Sequence, residues 1–206
     1  MKFIEFQKRF KEYLVFSLLD IRKEYPNFPQ LQLNRWKEQG YLINVRQSYY
    51  CLSDVELSRD LLLYIANRIY SPSYISLEIA LSYYNLIPES VYHITSVSTK
   101  KTKNYYTQLG NFIYRHIKSS AYFGYKLIEF DQKHRFLLAE PEKALLDYFY
   151  LNSHIASKQD FGETRINSNE FDNHINLNKL NAYLVNFKNK SFEKRIKNFL
   201  EVIRHA

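Results

Sequence analysis

Residues 17–52 read SLLDIRKEYPNFPQLQLNRWKEQGYLINVRQSYYCL. The stretch opens on Ser17-Leu18-Leu19-Asp20, a Ser-x-x-Asp capping box in which the serine oxygen accepts an orphan backbone N–H and the carboxylate lies against the positive helix end. A helix follows and ends before Pro26; Tyr25-Pro26-Asn27-Phe28-Pro29 is a turn. Pro29 suits the first position of the next helix, where its missing N–H has no intrahelical partner, and Gly40 suits the position just past that helix. A helix is therefore expected from about Pro29 to Gln39. At about 100° per residue, Leu33, Trp36 and Gly40 share its inner side, with Gln30, Leu31, Asn34, Arg35 and Glu38 spread over the outer one. Two β-prone runs, Tyr41 to Val45 and Ser48 to Leu52, then flank Arg46-Gln47 as a compact hairpin. On the N-terminal side, Phe3, Phe6, Phe10 and Leu14 fall at i, i+3, i+7 and i+11, the stripe of another amphipathic helix.

Three short helices and a hairpin make a winged helix-turn-helix plan, expected over residues 1–54, with residues 55–206 as a second domain. Such a unit lays one helix in the major groove and reads base edges from its N-terminal half. In that role Gln30 and Asn34 offer bidentate amide contacts to adenine, Arg35 contacts guanine and Leu31 meets a thymine methyl. Lys37, Arg46, Lys8 and Arg9 would hold phosphates, adding affinity that falls with salt. The same plan also serves protein docking, so the competing expectation is a non-catalytic protein-interaction adaptor.

Composition sets limits around this reading. The chain has 206 residues, 46% of them hydrophobic and 24% charged, which suits one large or two small globular domains and not a disordered chain. Four glycines, at 40, 110, 124 and 162, are too far apart for any nucleotide-cradling glycine loop. A lone cysteine, Cys51, can form neither an internal disulfide nor a cysteine zinc cage, which suits a reducing compartment. The abundance of Tyr, Phe, Asn, Lys and Ile is what an AT-rich coding sequence produces, so aromatic content alone does not indicate base stacking. No apolar run approaches the roughly 20 residues of a membrane span, and the charged start does not resemble a signal peptide. A cytoplasmic protein without a membrane partner is expected.

The formal charge is +8, and it is unevenly placed. Residues 1–52 carry nine basic and five acidic side chains, residues 53–89 two and five, and residues 90–128 six and none. That third block, with Lys100, Lys101, Lys103, Arg115, Lys118 and Lys126, would draw an anionic partner; its bland alternative is a solvated face.

Beyond the first unit, Val55 to Ile69 is helical in pattern, Ser71-Pro72-Ser73 breaks the chain, and Tyr74 to Tyr84 reads as another helix. Val91 to Val97 and Phe112 to Ile117 read as strands with Lys100 to Lys103 near the turn between them, and Tyr122 to Phe130 and Arg135 to Ala139 extend the sheet. Pro141 opens a helix through Leu151. Ser157 to Asn176, polar and rich in asparagine, reads as a loop before helices near Leu177 to Phe187 and Ser191 to Arg204. The expected class is α+β: an N-terminal winged helix-turn-helix followed by a mixed α/β C-terminal domain with a small antiparallel sheet and C-terminal helices.

No motif favours an enzyme. Glu140, Glu142 and Asp147 offer carboxylates, but Lys143 and Asp147 at i, i+4 suit structural pairing better. Asp131-Gln132-Lys133 has the nuclease triplet without an upstream acid. The six histidines, at 93, 116, 134, 154, 174 and 205, include no pair at i+3 to i+5, and no G-x-S-x-G elbow occurs. No cofactor and no metal is expected.

Several ordered motifs resemble the AbiEi family: Ser73-Tyr74-Ile75-Ser76-Leu77-Glu78, Ala80-Leu81-Ser82-Tyr83-Tyr84, Leu86-Ile87-Pro88-Glu89, Thr95-Ser96-Val97-Ser98-Thr99-Lys100-Lys101-Thr102, Tyr114-Arg115-His116-Ile117 and Pro141-Glu142-Lys143-Ala144-Leu145-Leu146-Asp147. The likeness runs from Trp36 through Asp147. It implies an antitoxin and transcriptional autorepressor of a bacterial abortive-infection system, with a winged helix on double-stranded operator DNA. Its C-terminal domain would counter a nucleotidyltransferase toxin in the type IV manner, without a stable complex. Where the family commonly has Arg-Gly-Tyr-Tyr at the wing tip, this chain has Gln47-Ser48-Tyr49-Tyr50, and Asn44 stands at a strand position that commonly carries arginine. Arg46 is then the one wing cation, and weaker phosphate anchoring through the wing follows.

Overall fold

The computed structural model describes residues 1–88 and 92–204. Val91, which begins one expected strand, and His205 lie outside the described residues. In the N-terminal part the elements are α1 (Phe3–Phe10), β1 (Phe16–Ser17), α2 (Leu18–Glu24), α3 (Gln30–Glu38), β2 (Leu42–Arg46) and β3 (Tyr49–Leu52). The aromatic stripe of α1 forms the centre of a small core. Phe6 stacks on Phe10 with centroids 4.5 Å apart, and Trp36 of α3 lies 4.7 Å from Phe6. Leu14 does not continue that stripe. A 3-10 turn over Lys11–Tyr13 and a φ of 58° at Leu14 end the helical run, and Leu14 packs on the larger core.

The capping box is present as read: Asp20 N–H donates to Ser17 Oγ at 3.2 Å and Ser17 N–H to Asp20 Oδ2 at 2.9 Å. Burial alone would raise the Asp20 carboxyl, but hydrogen bonds from the Ser17 side chain and backbone and the charge of Arg68 together hold it below its ordinary value. Pro29 is the extended residue before α3 and not its first helical residue, while Gly40 takes φ +75° just after the helix, a conformation other residues rarely adopt. β1 was not legible, being two residues long; it pairs antiparallel with β3 and completes a sheet in the order β1-β3-β2.

The larger part contains α4 (Arg59–Ile69), β4 (Tyr74–Ile75), α5 (Glu78–Tyr83), β5 (His93–Ser98), β6 (Lys103–Thr107), β7 (Gly110–His116), β8 (Tyr125–Glu129) and β9 (Arg135–Ala139). It ends in α6 (Pro141–Leu151), α7 (Lys158–Glu163), α8 (Ser168–His174), α9 (Leu177–Val185) and α10 (Lys190–Ile203). The α+β class holds, but the sheet is neither small nor purely antiparallel. It has six strands in the order β6-β7-β5-β4-β9-β8, with parallel pairs β5/β7 and β4/β9. The expected 91–97 and 112–117 hairpin is therefore corrected: those strands run parallel, and the lysine-bearing chain crosses to the outer edge as β6 before β7 returns between them. Tyr74 to Tyr84 is also not one helix, because Tyr74–Ile75 is a central strand and Leu77 turns the chain at φ 62°.

Strand alternation sets two faces. Ile75, Ser96 and Tyr114 are in register on the face toward α4, where the Tyr114 hydroxyl donates to Ala66 O at 2.7 Å. Tyr74, Val97 and Arg115 are in register on the opposite face, under α6. The segment 157–176 is a correction as well: it holds α7 and α8. Two of its asparagines are helix caps: Asn167 Oδ1 accepts from Asn169 and Glu170, and Asn176 Oδ1 from Asn178 and Lys179.

Two hydrophobic clusters result. The small one joins Phe6, Phe10, Phe16, Ile21, Phe28, Leu33, Trp36, Leu42, Tyr50 and Leu52, while Val15, Val45 and Cys51 from the same stretch of chain belong to the large one. Gly124 is a tight point of the large unit: its φ is +72°, and an added Cβ would lie 2.9 Å from Tyr183 Cε2 and 3.1 Å from Lys143 Cβ. Gly124→Ala is expected to lower unfolding free energy by about 1–3 kcal/mol through strain and overpacking, checked by urea denaturation.

Candidate nucleic-acid interface

Helix α3 is rooted by Leu33 and Trp36, both buried, so its other side faces outward. Gln30, Leu31, Arg35 and Lys37 are exposed, Leu31 at 70%, and Asn34 is half-buried. The side chains of Gln30, Asn34, Arg35 and Lys37 make no hydrogen bond or ion pair among the described residues. A surface leucine beside two amides and two cations, none of the four polar groups engaged among the described residues, is chemically suited to base edges and phosphates.

The outlying cations divide. Lys8 is exposed and unpaired among the described residues, whereas Arg9 is bound to Glu24 at the end of α2, which also accepts from the Tyr13 hydroxyl. Arg46 is not free at the β2–β3 hairpin. Its guanidinium donates to Ile69 O and lies 4.7 Å from the Tyr105 ring centroid and 5.6 Å from that of Tyr70, joining the hairpin to the large unit. The hairpin tip, Gln47-Ser48, is exposed and has Ser48 at φ 70°.

Of the six cations of residues 90–128, the five expected to form a basic surface of the C-terminal domain, Lys100, Lys101, Lys103, Arg115 and Lys118, do not lie together. Lys100, Lys101 and Lys103 are exposed, with Lys100 Nζ 5.6 Å from the Tyr70 centroid. Arg115 and Lys118 are turned toward the helical layer: Arg115 donates to Leu151 O at 2.8 Å, securing the end of α6, and Lys118 donates to Phe187 O. Adjacent strand residues point to opposite faces, so Arg115 cannot share a face with its neighbour Tyr114, the register partner of Lys103.

Sequence reading missed a cleft. Two adjoining hollows of about 730 and 600 Å³ lie between β2 and β6, the outer strands of the two sheets, and share Asn44, Tyr106 and Thr107. Lys37 lines the first and Arg46 and Lys103 the second; no carboxylate lines either among the described residues. The cation spacing had a sequence signal, but the approach of two sheet edges from separate segments had none.

The carboxylates considered for acid–base chemistry are all engaged. Glu140 accepts from Lys179 Nζ at 2.8 Å and from the Tyr183 hydroxyl, and Glu142 accepts the Asn176 N–H at 3.0 Å. Lys143 and Asp147 are fully buried and paired on α6. Tyr74 and Ser76 donate to Asp147 Oδ2 at 2.8 and 2.9 Å, and Lys143 Nζ donates to the Tyr74 oxygen at 2.9 Å. Burial lowers the Lys143 ammonium and raises the Asp147 carboxyl, against their mutual attraction. Asp131 and Lys133 form the β8–β9 turn, where Asp131 accepts from the Lys133 and His134 N–H groups at 2.7 Å each. Among the described residues no group of three or more His, Cys, Asp or Glu could hold a metal ion, and no helix is long and apolar enough to cross a membrane. Comparison with protein-family models and with curated proteins found no match.

Proposed function

We propose that the chain is a DNA-binding regulator whose first 54 residues form a winged helix with α3 as the reading helix. The exposed side chains of Gln30, Leu31, Arg35 and Lys37 and the half-buried Asn34, whose polar groups are unpartnered among the described residues, carry this reading. The element order α1-β1-α2-α3-β2-β3, with β1 paired to β3, supports it. Gln30, Leu31, Asn34 and Arg35 face bases, Lys37 and Lys8 hold phosphates, and Lys103 across the cleft extends the cationic track. Arg46 fastens the hairpin to the large unit, so phosphate anchoring falls to the other cations.

With the motifs quoted above, the biological role is that of an AbiEi-like antitoxin that represses its own operon and counters a nucleotidyltransferase toxin. Gel shift against the DNA upstream of its own coding sequence tests DNA binding; failure to bind leaves protein docking as the use of the same fold. Reversing the charges at Lys100, Lys101 and Lys103 is expected to weaken promoter binding or toxin rescue in cells; unchanged behaviour in both assays removes that surface from the function.

A further inference from the structure

A separate pocket of about 280 Å³ lies where the end of α4 meets the starts of β4 and β9, with Asn67, Arg68, Ser73, Tyr122, Tyr125 and Arg135 in its lining. Ser73 is 2% exposed, and its Oγ has no hydrogen-bond partner among the described residues. Asn67 Nδ2 is also buried and unpartnered among the described residues, while Asn67 Oδ1 accepts the Leu137 N–H, which holds the amide in place. Buried polar groups are as a rule paired, so two orphans in the lining of one pocket call for a ligand with several acceptors. Arg68 and Arg135 supply it with positive charge. Each uses one terminal nitrogen on a carboxylate outside the lining, Arg68 on Asp20 at 3.4 Å and Arg135 on Glu129 at 2.7 Å, leaving further donors on each fork. No carboxylate lines the pocket among the described residues.

We propose that this pocket binds an oxyanion of the phosphate class, gripped by the guanidiniums of Arg68 and Arg135, with the Ser73 hydroxyl and the Asn67 amide as additional donors. Four donor-bearing side chains suit a group with several acceptor oxygens better than one carbonyl, and guanidinium forks match phosphate geometry. The volume is at the small end of ligand sites, which restricts the occupant to free phosphate or a compact phosphomonoester.

The test is thermal shift and calorimetry on the full chain, with inorganic phosphate compared against sodium chloride at equal ionic strength. A saturable, phosphate-specific stabilisation with a dissociation constant below about 1 mM is expected. Arg68→Gln and Arg135→Gln should each weaken it at least about tenfold, and Ser73→Ala by about fivefold, as charge-assisted and neutral hydrogen bonds respectively are lost. Both arginine side chains are about half exposed, so the glutamine variants retain the fold. In the wild-type chain, phosphate should protect both arginines from phenylglyoxal, a readout that requires no variant. Adenosine monophosphate competing for the same site identifies a phosphomonoester as the source, and phosphate binding without such competition identifies the free anion; both outcomes support the site. Absence of a saturable effect beyond chloride, absence of protection, or unchanged affinity in the Arg68→Gln/Arg135→Gln double variant overturns the proposal.

Discussion

Lys143→Met is expected to lower the unfolding free energy by about 3–5 kcal/mol, because it leaves the Asp147 charge buried without its cation. Asp147 is fully buried on α6, and Tyr74 and Ser76 from the central strand region already donate to it. Those two hydroxyls cannot neutralise a full negative charge, so in the variant Asp147 must bind a proton or carry an unpaired charge in the core. The double variant Lys143→Met/Asp147→Asn removes both charges and keeps an amide oxygen as acceptor for Tyr74 and Ser76. It is expected to recover most of the loss, since a buried ion pair contributes little beyond its own desolvation.

Urea denaturation at several pH values checks both results. Removal of the cation leaves the Asp147 carboxyl raised by burial, above its value in the unfolded chain. A carboxyl whose folded pKa is raised favours the folded state when protonated, and that contribution declines as pH rises above the unfolded value of about 3.9. The single variant should therefore be closest to wild type in acid and furthest from it at neutrality, whereas the double variant should show no such trend. Equal destabilisation of single and double variants at all pH values would mean that side-chain volume, and not charge, governs this part of the core.

On the proposed reading of α3, Arg35→Ala is expected to cost about 1–3 kcal/mol on a preferred operator and to relax sequence preference at one base pair, as the proposed base-edge contact is lost. Lys37→Ala should weaken binding to all sequences to a similar degree and reduce the salt slope by about one. Arg35 is exposed and unpartnered among the described residues, so its loss leaves the α3 anchors Leu33 and Trp36 in place and separates recognition from folding. Gel shifts on specific and random duplexes across a salt series measure both effects. Equal loss on specific and random DNA from Arg35→Ala would assign that residue to phosphate contact. Arg46→Ala, by contrast, should act on the junction with Tyr70 and Tyr105, leaving the salt slope unchanged.

Local chemistry was legible wherever a few adjacent residues decide the backbone. The Ser17–Asp20 box, the turn at Gly40, the β2–β3 hairpin and the helix opened by Pro141 follow from capping, glycine conformation and β-preference within single segments. The outward face of α3 followed from helical periodicity, because Leu33 and Trp36 define its buried side. The asparagine-rich stretch 157–176 was misleading for a physical reason: a cap and a loop draw on the same residue types, and only the hydrogen bonds of Asn167 and Asn176 distinguish them.

The sequence by itself determined a set of elements, an aromatic small core and the residues that α3 presents to solvent. Tertiary structure alone decided that β5 and β7 run parallel with β7 between β5 and β6, and that Arg46 turns inward to Tyr105. It also decided that Arg115 and Lys118 serve the helical layer, and that Asn67, Arg68, Ser73 and Arg135 converge on one pocket. Capping and periodicity act over a turn of helix or a pair of strand residues, whereas strand order and pocket lining depend on which distant faces bury one another. That choice belongs to the packing of the whole chain.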